Sequence, residues 1–215
     1  MLKRQSLWVP LVKHNPAFLN GFRQFLRNNP VTTLSVSSMN LNPEEIQVLA
    51  VPDARHPLKQ VAAMMAFPVQ VTPAACECVY DDAHHTKPAL HREIAFGLAT
   101  TVCDSYNSFH VMERLLPHFN AHVSVNIQAQ MTRPLREGEK AVVISSIDKM
   151  GKRLVYCKSE FFLELAEGSG VLTPELVERE QNLKTIDDLR AALMNYEKVM
   201  NGTHVKSILP EGRAK

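Results

Sequence analysis

Residues 95–112 read AFGLATTVCDSYNSFHVM, and residues 121–162 read AHVSVNIQAQMTRPLREGEKAVVISSIDKMGKRLVYCKSEFF. The first stretch predicts one long helix over Arg92 to Arg114, because apolar side chains recur in it at helical spacing: Leu98, Val102, Phe109 and Met112. The second stretch changes to a period of two, which predicts strands over residues 121–131, 140–147 and 153–165. Short turns between these strands predict an antiparallel meander, so we expect an α+β fold.

The first predicted strand alternates strictly between two kinds of side chain. One face carries the apolar set Val123, Val125, Ile127, Ala129 and Met131. The other face carries the polar set His122, Ser124, Asn126, Gln128 and Gln130.

The bulk composition excludes several classes of protein. The 215 residues are 45% hydrophobic and 21% charged, which is ordinary for a globular domain. No apolar run approaches the roughly 20 residues that cross a bilayer. A net charge of +2 gives no reason to expect nucleic-acid binding. The four cysteines show neither a disulfide framework nor a zinc-site spacing, so we expect reduced thiols, no bound metal and no cofactor.

The N-terminal region is basic and free of acidic residues. Glu44 is the first acid, and before it stand Lys3, Arg4, Lys13, Arg23 and Arg27 among apolar side chains. This pattern is typical of a mitochondrial targeting segment, so we expect a mitochondrial location, with the cytoplasm as the other reading. The alternative is a basic helix that is retained in the protein and binds a partner.

The sequence predicts three parts: a basic arm and linker over 1–59, a central domain over 60–168 that contains the long helix and its strands, and a helical extension over 169–215. Residues 14–29 predict a helix with Asn15 as N-cap and Pro16 at its first position. Residues 30–60 are polar and Pro-containing, which predicts a linker. Earlier strands of the domain are expected at Met64–Val71 and Cys76–Tyr80.

The C-terminal extension is predicted to form two helices. The second carries the apolar stripe Leu189, Leu193, Tyr196 and Met200, and Asn201-Gly202 is expected to cap it.

Two residues of the long helix are candidates for chemistry. Gly97 and Asp104 are seven residues apart, so they lie on nearly the same helix face. Gly97 falls in the first turns, where backbone N–H groups are free and a carbonyl oxygen can approach closely. Asp104 lies among apolar residues, where burial would raise its pKa and suit it to act as a base. The alternative is a buried structural carboxylate bonded to a strand or to a dimer mate.

GLATTVCD, SVNIQAQMTRPLREGE and MGKRLVY resemble the small hotdog-fold acyl-CoA thioesterases of the phenylacetate-pathway and thioesterase-superfamily type. The resemblance covers roughly residues 90–166 and implies a long helix wrapped by an antiparallel sheet. It implies Asp104 as general base or nucleophile, Gly97 as the amide that polarises the thioester carbonyl, and Ser124 as the residue that positions water. It also implies an acyl-CoA or acyl-carrier thioester as substrate, in a homodimer or a dimer of dimers.

The chain departs from that family in one motif. Ala95-Phe96-Gly97 stands where the family has His-Gly-Gly, and no amide side chain occupies the family's position near Ala89. We therefore expect His91, Phe96 and Thr100 to contact the substrate instead. Two hypotheses follow: an acyl-CoA thioesterase, or a non-catalytic hotdog subunit of a larger complex that binds its partners through the terminal extensions.

Overall fold

A computed structural model describes residues 8–53, 60–81, 89–116, 121–163 and 197–210 of the chain. The helices are α1 Leu11–His14, α2 Pro16–Asn28, α3 Pro30–Ser38 and α4 Phe96–Leu115, with 3-10 turns at Pro43–Glu45 and Pro73–Ala75. The strands are β1 Trp8–Pro10, β2 Gln47–Pro52, β3 Gln60–Gln70, β4 Cys76–Asp81, β5 Ala89–Ile94, β6 His122–Met131, β7 Lys140–Met150, β8 Leu154–Leu163 and β9 Lys198–Ile208.

Seven strands form one antiparallel sheet in the order β1-β2-β3-β7-β8-β9-β6, and α4 packs across five of them, from β3 to β6. The core lies between α4 and this sheet, where the rings of Phe67 and Tyr106 stack with centroids 4.5 Å apart. β4 and β5 pair separately as a two-stranded sheet. The arrangement confirms an α+β architecture in which one long helix is covered by an antiparallel sheet.

The predicted meander of β6, β7 and β8 is wrong at its first strand. β6 pairs with β9, while β7 lies between β3 and β8. The burial of β7 explains its place, because residues 141–146 are all buried and such a strand needs neighbours on both sides. The polar alternation of β6 instead suits a sheet edge.

The predicted C-terminal helix is also wrong from residue 198 onward. Lys198–Ile208 is a strand in the interior of the sheet, so Met200 and Asn201-Gly202 belong to β9 and cap no helix. Leu189, Leu193 and Tyr196 lie outside the described residues. The segment after residue 168 therefore supplies part of the main sheet, and the central domain does not end there.

The N-terminal region is part of the core rather than an arm and linker. α2 begins as predicted, with the Asn15 side chain accepting a hydrogen bond from the Phe18 amide at 3.0 Å. Phe18 and Phe22 are buried, and the Phe22 ring meets Phe109 of α4 edge-on at 4.2 Å. The predicted linker contains α3 and β2, and β2 extends the sheet beyond β3.

The long helix begins four residues later than predicted. Arg92 is in β5, and α4 starts at Phe96. The hairpin of β4 and β5 precedes α4 and ends beside its first turn, where the Ala95 amide donates to the Ala75 carbonyl at 3.0 Å. None of the helices in the described part of the chain combines the length and the apolar character that crossing a membrane requires.

Candidate functional site

One face of α4 carries two of the three predicted catalytic residues and is only partly covered. Gly97 is exposed and Asp104 is half-buried, with 45% of its side chain accessible. Their seven-residue spacing puts them about 20° apart around the helix and about 10 Å apart along it. Helical side chains lean toward the N-terminus, so the Asp104 carboxylate is directed back toward Gly97.

The structure brings Asp104 and Ser124 together. The Ser124 hydroxyl on β6 donates a hydrogen bond to Asp104 Oδ1 at 2.7 Å. The Lys206 ammonium on β9 donates to the same oxygen at 2.8 Å and to Ser124 Oγ at 3.3 Å. Within the described residues no hydrogen bond or ion pair reaches Oδ2. One carboxylate oxygen is therefore anchored, and the other is available to a ligand.

The expectation that burial raises the pKa of Asp104 is wrong. Burial does act in that direction, but the Lys206 ammonium and the Ser124 hydroxyl outweigh it and hold the pKa below its ordinary value. Asp104 is therefore an anion at neutral pH. This electrostatic setting suits a nucleophile, and it leaves the carboxylate a weaker base than the sequence suggested.

A β-bulge explains how Ser124 reaches the helix. Strict alternation would put Ser124 on the face opposite Ile127, which packs against the core. In the structure Ser124 pairs with Lys206 and Asn126 pairs with Val205, so Val125 is an extra residue in β6. The extra residue turns Ser124 to the inner face of the sheet, as bulges near functional sites often do.

The sequence interpretation missed two residues of the site, Lys206 and His204. Both lie on β9, which was expected to be outside the sheet, and both point inward with Gly202. Every second residue of β9 is buried, and these buried positions hold both apolar and polar residues: Met200, Gly202, His204, Lys206 and Ile208. Because its inner positions are partly polar, this strand lacks the usual apolar alternation.

Gly202 lets β9 approach α4 closely. A Cβ at this position would meet the Cys103 sulfur at 3.2 Å and the Gln128 carbonyl oxygen at 3.4 Å. Glycine avoids this crowding next to the residue that precedes Asp104. The close approach brings the inner side chains of β9 within reach of the carboxylate.

His204 is buried beside the carboxylate without a hydrogen bond. Its Nε2 lies 3.3 Å from Asp104 Oδ1, and its side chain is fully inaccessible. Neither ring nitrogen has a hydrogen-bond partner within the described part of the chain. Burial and the neighbouring Lys206 ammonium lower the pKa of His204 to about 4, so the imidazole is neutral at pH 7. The positive charge beside Asp104 is therefore that of Lys206.

The surroundings of Gly97 are open. A Cβ built on Gly97 would meet none of the described atoms beyond its own helix within 4 Å. The N-cap residue is Ala95, which has no side-chain acceptor for the amides of the first helical turn. The space beside the Gly97 backbone is thus open in the described structure, and its role toward a carbonyl oxygen stays a prediction.

The three predicted substrate-binding residues lie on or just before the first turns of α4. Phe96 is the first residue of the helix and its side chain projects into solvent, with 49% of the residue exposed. Thr100 lies between Gly97 and Asp104 in the chain, and its hydroxyl donates to the Phe96 carbonyl at 3.0 Å. His91 is on β5, and its Nε2 bonds to Glu93 at 2.7 Å rather than to Asp104.

The site offers an ionised carboxylate, a hydroxyl, a buried cation and free backbone amides. Among the described residues, no group of three or more His, Cys, Asp or Glu side chains is placed to hold a metal ion. This donor set can orient a carbonyl compound and attack it or activate water.

Comparison with solved structures assigns the architecture. Zebra fish thioesterase superfamily member 2 superposes with a TM-score of 0.50 over 89% of this chain and 98% of that one, at 13% sequence identity. The chain has the hotdog fold. In hotdog terms α4 is the central helix, and β3, β7, β8, β9 and β6 wrap it.

Other hotdog structures are similar at lower scores. Thioesterase superfamily member 2 from Mus musculus is 15% identical and covers 68% of this chain and 82% of its own, with a TM-score of 0.42. The E. coli PaaI protein of the phenylacetic acid degradation operon is 8% identical and covers 88% and 97%, with a TM-score of 0.47. No protein-family model and no curated protein matches the chain.

Proposed function

We propose that this hotdog protein hydrolyses acyl thioesters, with an acyl-CoA or an acyl-carrier thioester as substrate. The observation that carries the proposal is the state of Asp104. Its Oδ1 is held by Ser124 and Lys206, while Oδ2 has no hydrogen-bond partner among the described residues and belongs to a half-exposed side chain. An anchored, ionised carboxylate with one free oxygen is the group that thioester cleavage needs.

Two balanced routes use the same oxygen. In the first, Oδ2 attacks the thioester carbonyl carbon, a C–O bond forms, and the C–S bond breaks as the thiolate leaves with its electron pair. Water then hydrolyses the resulting mixed anhydride to two carboxylic acids, which ionise. In the second, Oδ2 takes a proton from a water molecule whose oxygen attacks the carbonyl carbon directly. The tetrahedral intermediate then collapses, the C–S bond breaks, and the thiolate leaves with its electron pair and takes the proton from Oδ2. In both routes the carbonyl oxygen gains negative charge, and the Gly97 amide is the proposed donor to it.

The predicted auxiliary residues have defined roles in this proposal. Ser124 orients the carboxylate and the attacking water, since its hydroxyl is exposed and already bonded to Oδ1. Phe96 and Thr100 are on the first turns of α4 with Gly97, and His91 is on β5, the strand that precedes the helix. We propose all three as contacts to the substrate.

The test is hydrolysis of a panel of acyl-CoA thioesters of increasing chain length, with Asp104→Asn and Asp148→Asn compared with the wild type. Asp148 is an exposed carboxylate on β7, so its variant controls for loss of one negative charge. We expect Asp104→Asn to lower kcat/KM at least 100-fold and Asp148→Asn to leave it within twofold. Equal activity of Asp104→Asn and wild type would overturn the role of the carboxylate.

We propose that the protein works as a homodimer joined along β6. Among the strands that the structure describes, β6 is at the end of the sheet, and it exposes Val123 and Val125, the latter 60% accessible. An apolar edge strand with unpaired backbone groups pairs readily with a second copy. Sedimentation should show a dimer that Val123→Lys/Val125→Lys dissociates. A monomeric wild type would contradict this, and a tetramer would indicate a dimer of dimers.

A second function is supported by the motif at the helix start. Ala95-Phe96-Gly97 places an exposed aromatic residue beside the proposed carbonyl site, and Leu90 on β5, the strand that precedes α4, is also exposed. These apolar groups suit a non-catalytic hotdog subunit of a larger complex. A folded wild type that turns over no thioester of the panel would favour this alternative.

We propose a mitochondrial location from the acid-free basic segment that precedes Glu44. The test is the distribution of the full chain fused at its C-terminus to a fluorescent protein. Exclusion from mitochondria would refute the proposal, and a cytoplasmic distribution would establish the alternative location, the cytoplasm.

A further inference from the structure

Lys206 is a buried cation that contacts the proposed reacting group, the half-exposed Asp104 carboxylate. Only 2% of its side chain is accessible, whereas the Asp104 side chain is 45% accessible. Burying an ammonium costs free energy unless a partner compensates, and the partner here is Asp104 Oδ1 at 2.8 Å. The half-exposed position of the carboxylate puts its free oxygen on the solvent side of this pair.

The position of Lys206 follows from three features of the sheet. β9 lies between β8 and β6, so its inner side chains meet the middle of α4. Gly202 brings the strand close to Cys103, and Lys206 follows four residues later on the same face. The β6 bulge places Ser124 opposite Lys206, so the ammonium contacts the hydroxyl as well as the carboxylate.

We infer that Lys206 is a positioning residue for Asp104, because it holds Oδ1 against Ser124 and thereby presents Oδ2 to the acyl thioester. The inference rests on the proposed hydrolysis and adds to it a residue outside the segment that resembles the thioesterases. Lys206 does not touch the substrate in this arrangement, since Asp104 lies between it and the solvent.

Other groups near the pair do not supply a charge at neutral pH. His204 on β9 is neutral, with its pKa lowered to about 4 by burial and by Lys206. Burial raises the pKa of the Cys103 thiol on α4 and of the Cys157 thiol on β8 to about 12. The electrostatic effect of His122 on β6 adds to the lowering of the pKa of His204. Removing Lys206 therefore removes the positive charge that lowers the pKa of Asp104.

The experiment compares Lys206→Met with Lys198→Met in the full chain. Methionine keeps the length and apolar stem of lysine without its charge. Lys198 is on the same strand and pairs with Glu160 at 3.0 Å, but it is exposed, so its variant is the matched control. Circular dichroism and a melting curve establish that each variant is folded. Lys206→Gln replaces Lys206→Met where the latter does not fold.

Two readouts are taken on the same samples. Carbon-13 NMR of aspartate carboxyl groups follows the titration of Asp104, whose signal is the one missing from Asp104→Asn. The pH profile of kcat/KM follows the reaction. In Lys206→Met we expect the Asp104 midpoint to rise by at least one pH unit. The acid limb of the profile should move with it, and KM should stay within threefold.

Lys206→Met also removes a charge that lowers the pKa of His204. His204 can then gain a proton and replace part of the lost positive charge. The double variant Lys206→Met/His204→Leu is therefore expected to raise the Asp104 midpoint further. Lys198→Met should change neither readout.

The outcomes separate this inference from the proposed function. An unchanged Asp104 midpoint in Lys206→Met, or a raised midpoint with an unmoved acid limb, overturns the positioning role even if the wild type is active. Absence of turnover by the wild type overturns the proposed hydrolysis, and with it the catalytic role of the pair of Lys206 and Asp104. The NMR titration then decides separately whether Lys206 holds the carboxylate.

Discussion

The two oxygens of the Asp104 carboxylate have different surroundings. Oδ1 is bonded to a hydroxyl and an ammonium, whereas none of the described residues bonds to Oδ2, and the side chain is half-exposed. An asymmetric carboxylate is already oriented before a ligand arrives, and this orientation lowers the entropy lost in reaching the transition state. The residues that create the asymmetry come from β6 and β9, on opposite sides of residues 132–197 in the chain.

Gly97→Ala separates stability from activity at the residue scale. The Cβ meets no described atom within 4 Å, and alanine is the better helix former. We expect the free energy of unfolding to rise by about 0.5 kcal/mol, from the helix propensities. Turnover should fall at least tenfold, because the methyl group blocks the approach of the carbonyl to the amide. Urea unfolding and thioester hydrolysis measure the two effects, and unchanged turnover would exclude Gly97 as the oxyanion donor.

His204 predicts a loss of stability in mild acid. The pKa of its imidazole is about 4 in the folded protein, against an ordinary value of 6.5. The unfolded chain therefore binds the proton more tightly, and stability present above pH 6.5 is lost as the pH falls toward 4. Between pH 7 and pH 5 we expect this one residue to remove on the order of 1 to 2 kcal/mol.

The variant His204→Leu should retain that stability at pH 5. Its ring makes no hydrogen bond in the described structure, so leucine loses little at pH 7. His110 is also buried with a pKa near 4, so urea unfolding of the variant should show a smaller acid loss rather than none. An acid loss equal to that of the wild type would mean that His204 is accessible to protons when folded.

At the scale of elements, the bulge in β6 decides which side chains the site receives. Deleting Val125 removes the extra residue and leaves Ser124 opposite Lys206 and Ile127 opposite His204. We therefore expect the deletion to keep the hydroxyl–carboxylate contact within the protomer. Its free energy of unfolding should change by less than about 1 kcal/mol, as for surface changes.

Deletion of Gln128 is the matched control on the same strand. It shifts the preceding residues by one and places Asn126, instead of Ile127, opposite His204. A polar amide then replaces a side chain that packs against the core, which costs roughly 1–3 kcal/mol. Equal stability of the two deletion variants, measured by urea unfolding, would contradict the assignment of Val125 as the extra residue.

Helix α4, the strands β6 to β8 and the pairing of Asp104 with Gly97 on one helix face were predictable from the sequence. Their signals are local, since helical and strand periods are visible within a short window. The place of β6 in the sheet was not, because strand order depends on which strand is buried on both faces. Lys206 was missed for a related reason: a lysine at an inner position disguises the alternation that identifies β9.

At the scale of the whole molecule, the N-terminal helices complete the core. Phe22 of α2 packs on Phe109 of α4 and is almost fully buried. Phe22→Ala should lower the free energy of unfolding by about 3 to 4 kcal/mol, as for other buried aromatic residues. Phe25→Ala, at a half-buried position of the same helix, should cost less than half as much. Equal losses in urea unfolding would place the two side chains in equivalent environments.

The position of β9 has a consequence for biosynthesis. The ribosome makes β6 long before β9, yet β9 is the strand that β6 pairs with in the sheet. Until residue 208 has left the exit tunnel, the growing chain lacks the ammonium that anchors Asp104, and β6 and β8 each present an unpaired edge. A premature stop codon between residues 164 and 197 would therefore yield an aggregation-prone product without the site.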